Sequence, residues 1–253
     1  MYPKERQKQI IQLLTEQDMM KLTDLSTHLE VSMETVRRDI QALVVQQKIE
    51  KFYGGIKLVP TPEQESLIAA RMHEHIDEKE KIARVAVHYI EDGDTIFLDS
   101  GSTTYPLAKY IKERQKLTVV TNSLPIVNEL IDSEVDVLLI GGKLRHSEKS
   151  ITAYDMLFRF DYLNIQKAFI CTSGLSLENG LSDYDIDEIR TRRQIMDNSK
   201  QTYVLCDHSK FGHDVTIKTC NLAQVDGIIT DDGLDNTIRQ QFNEAGHRLI
   251  IAD

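Results

Sequence analysis

Apolar positions in the first 57 residues recur at helical spacing three times and then begin to alternate. Between positions 4 and 17, Ile10, Ile11 and Leu14 share one side and predict an amphipathic helix. Asp18 to Lys21 reads as a polar break, after which Leu22, Leu25 and Leu29 mark a second, shorter helix. Glu30-Val31-Ser32 makes a tight link, with Ser32 placed to cap a third helix. The segment IEKFYGGIKL (49–58) alternates around Gly54-Gly55, as a small hairpin does. Three helices followed by a hairpin outline a winged helix-turn-helix.

Residues 58–77 hold Pro60, Pro62 and a polar run, and read as a linker. From Glu78 onward, helical segments alternate with short apolar runs: TIFLD (95–99), LTVVT (117–121), DVLLIG (136–141), KAFICT (167–172), TYVLC (202–206) and GIIT (227–230). Near-continuous apolar strands separated by helices predict an α/β domain with a mostly parallel sheet covered on both faces. The expected division is therefore a DNA-binding domain at 1–57, a linker at 58–77 and a sensing and oligomerisation domain at 78–253. The longest apolar stretch, Val135–Ile140, reads as a buried strand and is far too short to span a bilayer.

The third helix has two chemically different faces. At about 100° per residue, Val36, Ile40 and Leu43 fall within about 60° of one another and must face a core. Opposite them lies Arg38, flanked by Glu34 and Gln41, with Thr35 and Arg37 on the shoulders. A helix entering the major groove needs this division, because arginine suits guanine and the amides beside Ser32 and Thr35 suit a phosphate. Lys48, Lys51, Tyr53 and Lys57 place further donors on the wing. An isolated arginine pair is usually only a solvated face; its place between a helix-turn-helix spacing and a Gly-Gly wing gives it a reading role.

Composition changes this picture in one respect. The chain of 253 residues carries a net charge of −10, which is unexpected for a DNA binder. Of its 30 basic and 40 acidic residues, the first 57 positions hold nine and eight, so the acidity belongs to the second part. A near-neutral module still binds DNA where its cations share one surface, since phosphate contact is local and screened within about 10 Å. Three cysteines (Cys171, Cys206 and Cys220) without CxxC spacing argue against a disulfide framework or a zinc site. Cys171 and Cys206, at strand ends, are expected to be buried structural thiols. No secretory leader opens the sequence, and a cytoplasmic protein without membrane contact is expected.

The second part concentrates polar motifs behind its strands. TIFLD runs into Asp99-Ser100-Gly101-Ser102-Thr103-Thr104, LTVVT into Asn122-Ser123, DVLLI into Gly141-Gly142-Lys143, and TYVLC into Asp207-His208-Ser209-Lys210. A strand, a small-residue turn and a helix start together present amides and hydroxyls suited to a phosphate. In an open α/β sheet these loops meet at the carboxyl ends of the strands, where ligands bind. Ser102, Thr103 and Thr104 are the expected phosphate ligands and Lys210 the expected cation. Asp99, Asn122 and Glu188 are expected to meet hydroxyls. His208 and His213, with Asp207 and Asp214, suggest a metal cluster. Their spacing matches no metal pattern, so no metal and no cofactor is expected.

Ser32, Thr35, Arg37, Arg38, Asp39, Leu43, Gly54 and Gly55 form the pattern S-x-x-T-V-R-R-D-I-x-x-L followed by Y-G-G, which resembles the DNA-binding half of the DeoR family of bacterial sugar-metabolism regulators. D-S-G-S-T-T, V-T-N-S, G-G-K-L-R, G-L-S and D-H-S-K-F-G resemble its effector-binding half, so the likeness runs over roughly residues 4–235. It implies a sensor similar in fold to ribose-phosphate isomerase and glucosamine-phosphate deaminase, a phosphosugar effector and operator DNA as partners, and the acidic pocket position at Glu188. Gln47, Cys171 and Ala153 stand where the family usually has glycine, and side chains at the last two would narrow the pocket. The implied function is a repressor of a carbohydrate operon, working as a homodimer or homotetramer, because one winged helix reads few base pairs. The segment 58–90, joining the halves, is the expected bistable element. Two rival functions are a phosphosugar isomerase or deaminase tethered to DNA, for which these loops supply no acid–base pair, and a regulator controlled by protein contact.

Overall fold

The computed structural model describes residues 3–17, 19–46, 48–52, 55–58, 66–153 and 160–253. Its contacts divide the chain into two units, Met1–Ala70 and Arg71–Asp253.

In the first unit, α1 (Pro3–Gln17) is followed by the two-residue strand β1 (Met19–Met20), then α2 (Leu22–His28), α3 (Met33–Val45), β2 (Ile49–Phe52) and β3 (Gly55–Leu58). The three predicted helices are present. The expected polar break is instead a strand, and it pairs antiparallel with β3 so that Met20 faces Ile56. The wing is therefore a three-stranded sheet in the order β1-β3-β2. Burial of Met20 is what the polar reading of residues 18–21 overlooked. Ile10, Leu14, Leu25, Val36, Ile40, Leu43, Ile49 and Ile56 close one apolar core. The turn between α2 and α3 passes through Glu30 in the left-handed region (φ 53°), and the Ser32 hydroxyl accepts the Thr35 amide proton to start α3.

A short helix, α4 (Ile68–Arg71), lies at the join. The second unit then runs α5 (Ile76–Ala86), β4 (Thr95–Leu98), α6 (Tyr105–Ile111), β5 (Thr118–Thr121), α7 (Leu124–Leu130), β6 (Asp136–Leu139), β7 (Gly142–Arg145) and β8 (Ser150–Ala153). It continues through β9 (Ile165–Ile170), β10 (Gly174–Ser176), β11 (Gly180–Asp183), α8 (Ile186–Asp197), β12 (Ser199–Leu205), β13 (Ile217–Cys220), β14 (Gly227–Asp231), α9 (Asn236–Glu244) and β15 (Leu249–Ala252). Seven strands form one sheet, β15-β14-β12-β9-β4-β5-β6, and every pairing in it is parallel.

Alternation along each strand feeds two cores, one per face. Ile96 and Leu98 pack with α5, α6 and α7, through Ile82, Leu107 and Ile126 among others. Phe97 between them packs on the other side with Ile195 of α8 and Phe242 of α9. The order of strands reverses between β4 and β9: β5 and β6 follow β4 outward on one side, while β9, β12, β14 and β15 step away on the other. That is the switch point at which parallel sheets open a crevice at their carboxyl ends.

One strand differs from expectation. The run Val135–Ile140 supplies β6 at the edge of the sheet, where Leu138 and Leu139 are exposed. An apolar run cannot by itself distinguish a covered central strand from an edge strand.

Candidate functional site

On the first unit, α3 sorts its residues as the wheel requires. Val36, Ile40 and Leu43 are buried, and the Arg38 and Glu34 side chains opposite them are 83% and 86% exposed. Those two pair loosely across one helical turn at 3.6 Å; an exposed i,i+4 pair contributes about 0.3–0.5 kcal/mol and is readily exchanged for a phosphate or a base. Arg37 is also exposed. Gln41 accepts a bond from Lys51 of the wing (3.0 Å), which ties α3 to β2. Ser32 and Thr35 hydroxyls lie 3.0 Å apart at the helix start, and the Thr35 amide expected to be open is capped by Ser32. Tyr53, Gln47 and Gly54 lie outside the described residues.

Asp39, next to Arg37 and Arg38 in sequence, points the other way. It is buried and accepts a 2.6 Å bond from Arg6 of α1, so it fixes α3 against α1.

On the second unit, the loop after β4 sits at the switch point. Asp99 is buried and its oxygens are already committed: Oδ1 accepts the Ser100 amide, and Oδ2 accepts Arg192 Nε (2.6 Å) and the Cys171 amide (3.2 Å). Arg192 also donates to Asp183 (2.8 Å). Burial disfavours the Arg192 charge, but Asp99 and Asp183 outweigh it and hold the guanidinium firmly ionised. Asp99 is thus a structural carboxylate rather than the free hydroxyl acceptor expected. Arg192 was invisible in the sequence because nothing in Arg190-Thr191-Arg192-Arg193 marks which arginine turns inward.

Thr104 is likewise engaged, its hydroxyl donating to Asp99 O (2.6 Å) and accepting from the Gly101 amide. Glu188 accepts from Ser150 Oγ (2.8 Å) and pairs with Arg145 (2.9 Å), which ties α8 to the β7–β8 hairpin. Gly141 and Gly142 lead into that hairpin, where a Cβ on Gly142 would lie 2.0 Å from Thr152 O.

What the engaged residues leave open is specific. Ser102 and Thr103 are buried, yet neither hydroxyl has a partner among the described residues, nor do the amides of Ser102, Thr103 and Thr104. Asn122 donates to Ser100 Oγ (3.2 Å) while its own Oδ1 is buried with no donor. Gly101 is required here, since a Cβ on it would lie 2.5 Å from Cys171 Sγ. Cys171 therefore fills part of the crevice. Burial, then Asp99, push its thiol well above the usual range, so it is a neutral packing group.

Two strands away, behind β12, Lys210 is half-buried, and its ammonium makes no hydrogen bond or ion-pair contact among the described residues. Adjacent strands lie about 4.8 Å apart, so this loop and the Ser102–Thr103 turn are separated by about 10 Å across the sheet. Lys79 of α5, within the charged run DEKEK (77–81), is buried and donates to the Glu74 and Arg71 carbonyls. Burial lowers its pKa to about 8, with Asp207 opposing and Lys210 adding to the shift. Burial pushes Asp207 up, but Lys210, Ser209 and Lys79 outweigh it and hold the carboxyl below its usual range.

His75, Asp207 and His208 bring ligand-type atoms within 4.8 Å of one another. His213, expected beside His208, instead bridges to Leu175, and Asp214 accepts from Ser176 and Asn179. A cleft of about 340 Å³ beside Asp226, Gly227 and Arg248 opens at the amino ends of β14 and β15, the opposite end from that used by ligands of parallel sheets.

Residues 6–61 match the DeoR-like helix-turn-helix domain, and residues 74–232 match the DeoR C terminal sensor domain. The HTH-type transcriptional regulator IolR of Bacillus subtilis is 34% identical over 233 residues, 91% of each chain. GolR of Listeria innocua, also an HTH-type transcriptional regulator, is 31% identical over 100% of each chain. The glycerol-3-phosphate regulon repressor of Escherichia coli is 31% identical over 90% of each. Among solved structures, ribose 5-phosphate isomerase A of Methanocaldococcus jannaschii is 18% identical, over 55% of this chain and 56% of that one, with a TM-score of 0.42. A likeness that distant speaks to neither ligand nor chemistry. With both halves matched and regulators aligned along nearly its full length, the chain belongs to the DeoR family of helix-turn-helix transcriptional regulators.

Proposed function

We propose that this regulator represses a carbohydrate-utilisation operon and that a phosphorylated sugar bound to its second unit sets its affinity for double-stranded operator DNA. DNA binding is assigned to residues 1–57, sensing and oligomerisation to 78–253, and 58–77 is the linker. Arg38, Arg37, Glu34, Thr35 and Gln41 face the groove, with Ser32, Lys51 and Tyr53 toward phosphates. The protein works in the cytoplasm as a homodimer or homotetramer, pairing two reading helices on a two-fold operator.

The observation that carries the sensing half is a set of donors left without protein acceptors. The Ser102 and Thr103 hydroxyls and the amides of residues 102–104 have no partner among the described residues, at the carboxyl end of the first sheet strand. A phosphate supplies acceptors for all of these. Lys210 and Lys79 supply charge, and Asn122 Oδ1 accepts a sugar hydroxyl. Asp99, Ser100, Gly101 and Thr104 shape the turn; Glu188 and the Gly141-Gly142 step hold the hairpin beside it. The relative named for the glycerol-3-phosphate regulon favours a small phosphorylated ligand, as does Cys171 in the crevice.

The test is operator binding by fluorescence anisotropy against a panel of sugar phosphates, each beside its unphosphorylated counterpart. At least one phosphorylated compound shifts operator affinity and its unphosphorylated form does not. A shift produced equally by both forms, or by none of the panel, would overturn the proposal.

A further inference from the structure

We infer that His75, Asp207 and His208 form a binding site for a divalent transition-metal ion. The three residues come from two places, His75 from the start of α5 and the other two from the loop after β12. They nevertheless bring one ligand atom each within 4.8 Å of the others.

Each ligand is prepared in its own way. Asp207 is fully buried; its Oδ1 accepts from the Ser209 amide and hydroxyl, and its Oδ2 has no hydrogen-bond partner among the described residues. A buried carboxylate oxygen without a donor is a rarity that calls for a cation or a donor from outside the chain. His208 Nδ1 lies 2.8 Å from Asp231 Oδ2. Because that carboxylate is an acceptor, it holds the proton of the neutral ring on Nδ1, the tautomer whose Nε2 lone pair is open to a metal. A carboxylate behind a histidine in this way fixes the tautomer that binds metals and raises its basicity.

Asp231 is itself held by the His208 and Gly233 amides (2.7 and 2.9 Å). Position 233 has no side chain to disturb the pair: a Cβ there would lie 2.7 Å from Asp231 Oδ2 and 2.8 Å from His208 Nδ1. His75 keeps a left-handed backbone (φ 51°), a conformation that favours glycine, and its ring stands edge-on to His208 with centroids 5.2 Å apart.

Two imidazoles and a carboxylate are a borderline ligand set suited to zinc, cobalt or nickel. A tetrahedral site with metal–ligand bonds of about 2.0–2.1 Å needs ligand atoms about 3.3 Å apart, so the set closes by roughly 1.5 Å at its widest pair. His75 is exposed and can turn inward. Lys79 and Lys210 act on the same carboxylate. Their charge opposes a bare dication and favours one whose open coordination position carries an anion. Three protein ligands leave that position vacant.

The test uses Co²⁺ with the full-length protein and needs no effector. Titration should give one Co²⁺ per chain with the intense visible absorption of a four-coordinate ion, displaced by Zn²⁺. His75→Ala, at an exposed position, and His208→Ala should each weaken binding at least about tenfold. His213→Ala, at the residue the structure removes from the cluster, should leave it unchanged. The inference is overturned by the absence of a four-coordinate spectrum, by a spectrum that survives both cluster substitutions, or by equal loss in His213→Ala.

Discussion

Two arginines show how differently the units are built. Arg38 on α3 is almost fully exposed and only loosely paired with Glu34; Arg192 on α8 is 2% exposed and bonded to two buried carboxylates. The first is available to an external partner, whereas the second holds β4, β11 and α8 in one arrangement. The exposed face of α3 is thus a set of side chains standing in water. The sensor is a rigid frame in which most polar groups are satisfied, and its few open donors stand out for that reason.

Removing each kind of group separates the two roles. Arg192→Met should have the largest effect, since it strands Asp99 and Asp183 without their cation; a loss of about 3–5 kcal/mol in denaturant unfolding of the sensor is expected. Unfolding within about 0.5 kcal/mol of the parent would remove its framing role. Lys210→Gln should cost less stability than Arg192→Met, since only Asp207 loses a favourable charge, and should weaken phosphosugar binding by about 1.5–3 kcal/mol, the range of a charged hydrogen bond, measured by calorimetry. Arg38→Ala should reduce operator affinity by about 1–3 kcal/mol and relax sequence preference without loss of stability.

A smaller effect concerns pH. Lys79, faced by Asp207, Glu74, Lys210 and Arg71, has its pKa lowered from 10.5 to about 8 by burial. Between those values the unfolded chain holds a proton that the folded chain has released, so this group's unfavourable contribution to stability shrinks as pH rises through that window. A bound phosphate favours the charged form. Binding near pH 8 should therefore take up a proton and weaken by at most about tenfold per pH unit above it. Calorimetry in buffers of different ionisation enthalpy reads this directly, and a heat independent of buffer would exclude Lys79 from the site. Smallest of all, Lys51→Ala should lower the salt slope of operator binding by about 1 with little change in sequence preference.

Much of this architecture is written in periodicity. The amphipathic wheel of α3 and the apolar runs of β4, β5, β9, β12 and β14 placed both the reading face and the polar loops behind the sheet. The remainder depends on tertiary pairing. Met19–Met20 becomes a strand only because β3 lies beside it, and the run at β6 forms the edge of the sheet, with Leu138 and Leu139 exposed. Leu249–Ala252, too short to announce a period, completes the other edge. In the sensor the loops were found but the duties within them were not. Asp99 and Glu188 have the chemistry of hydroxyl acceptors, and only their three-dimensional neighbours, Arg192 and Arg145, show that they are already engaged. Lys79 and His75 lie in charged stretches whose period gives no sign of burial or convergence.

The central claim is that effector and operator act on one equilibrium, and linkage makes that claim reciprocal: if the effector changes operator affinity by some factor, the operator must change effector affinity by the same factor. The decisive measurement is calorimetric titration of the active sugar phosphate into the free protein and into the protein saturated with operator. The account predicts two effector dissociation constants whose ratio equals the ratio of operator constants measured with and without effector. Identical effector affinity in the two titrations would contradict it.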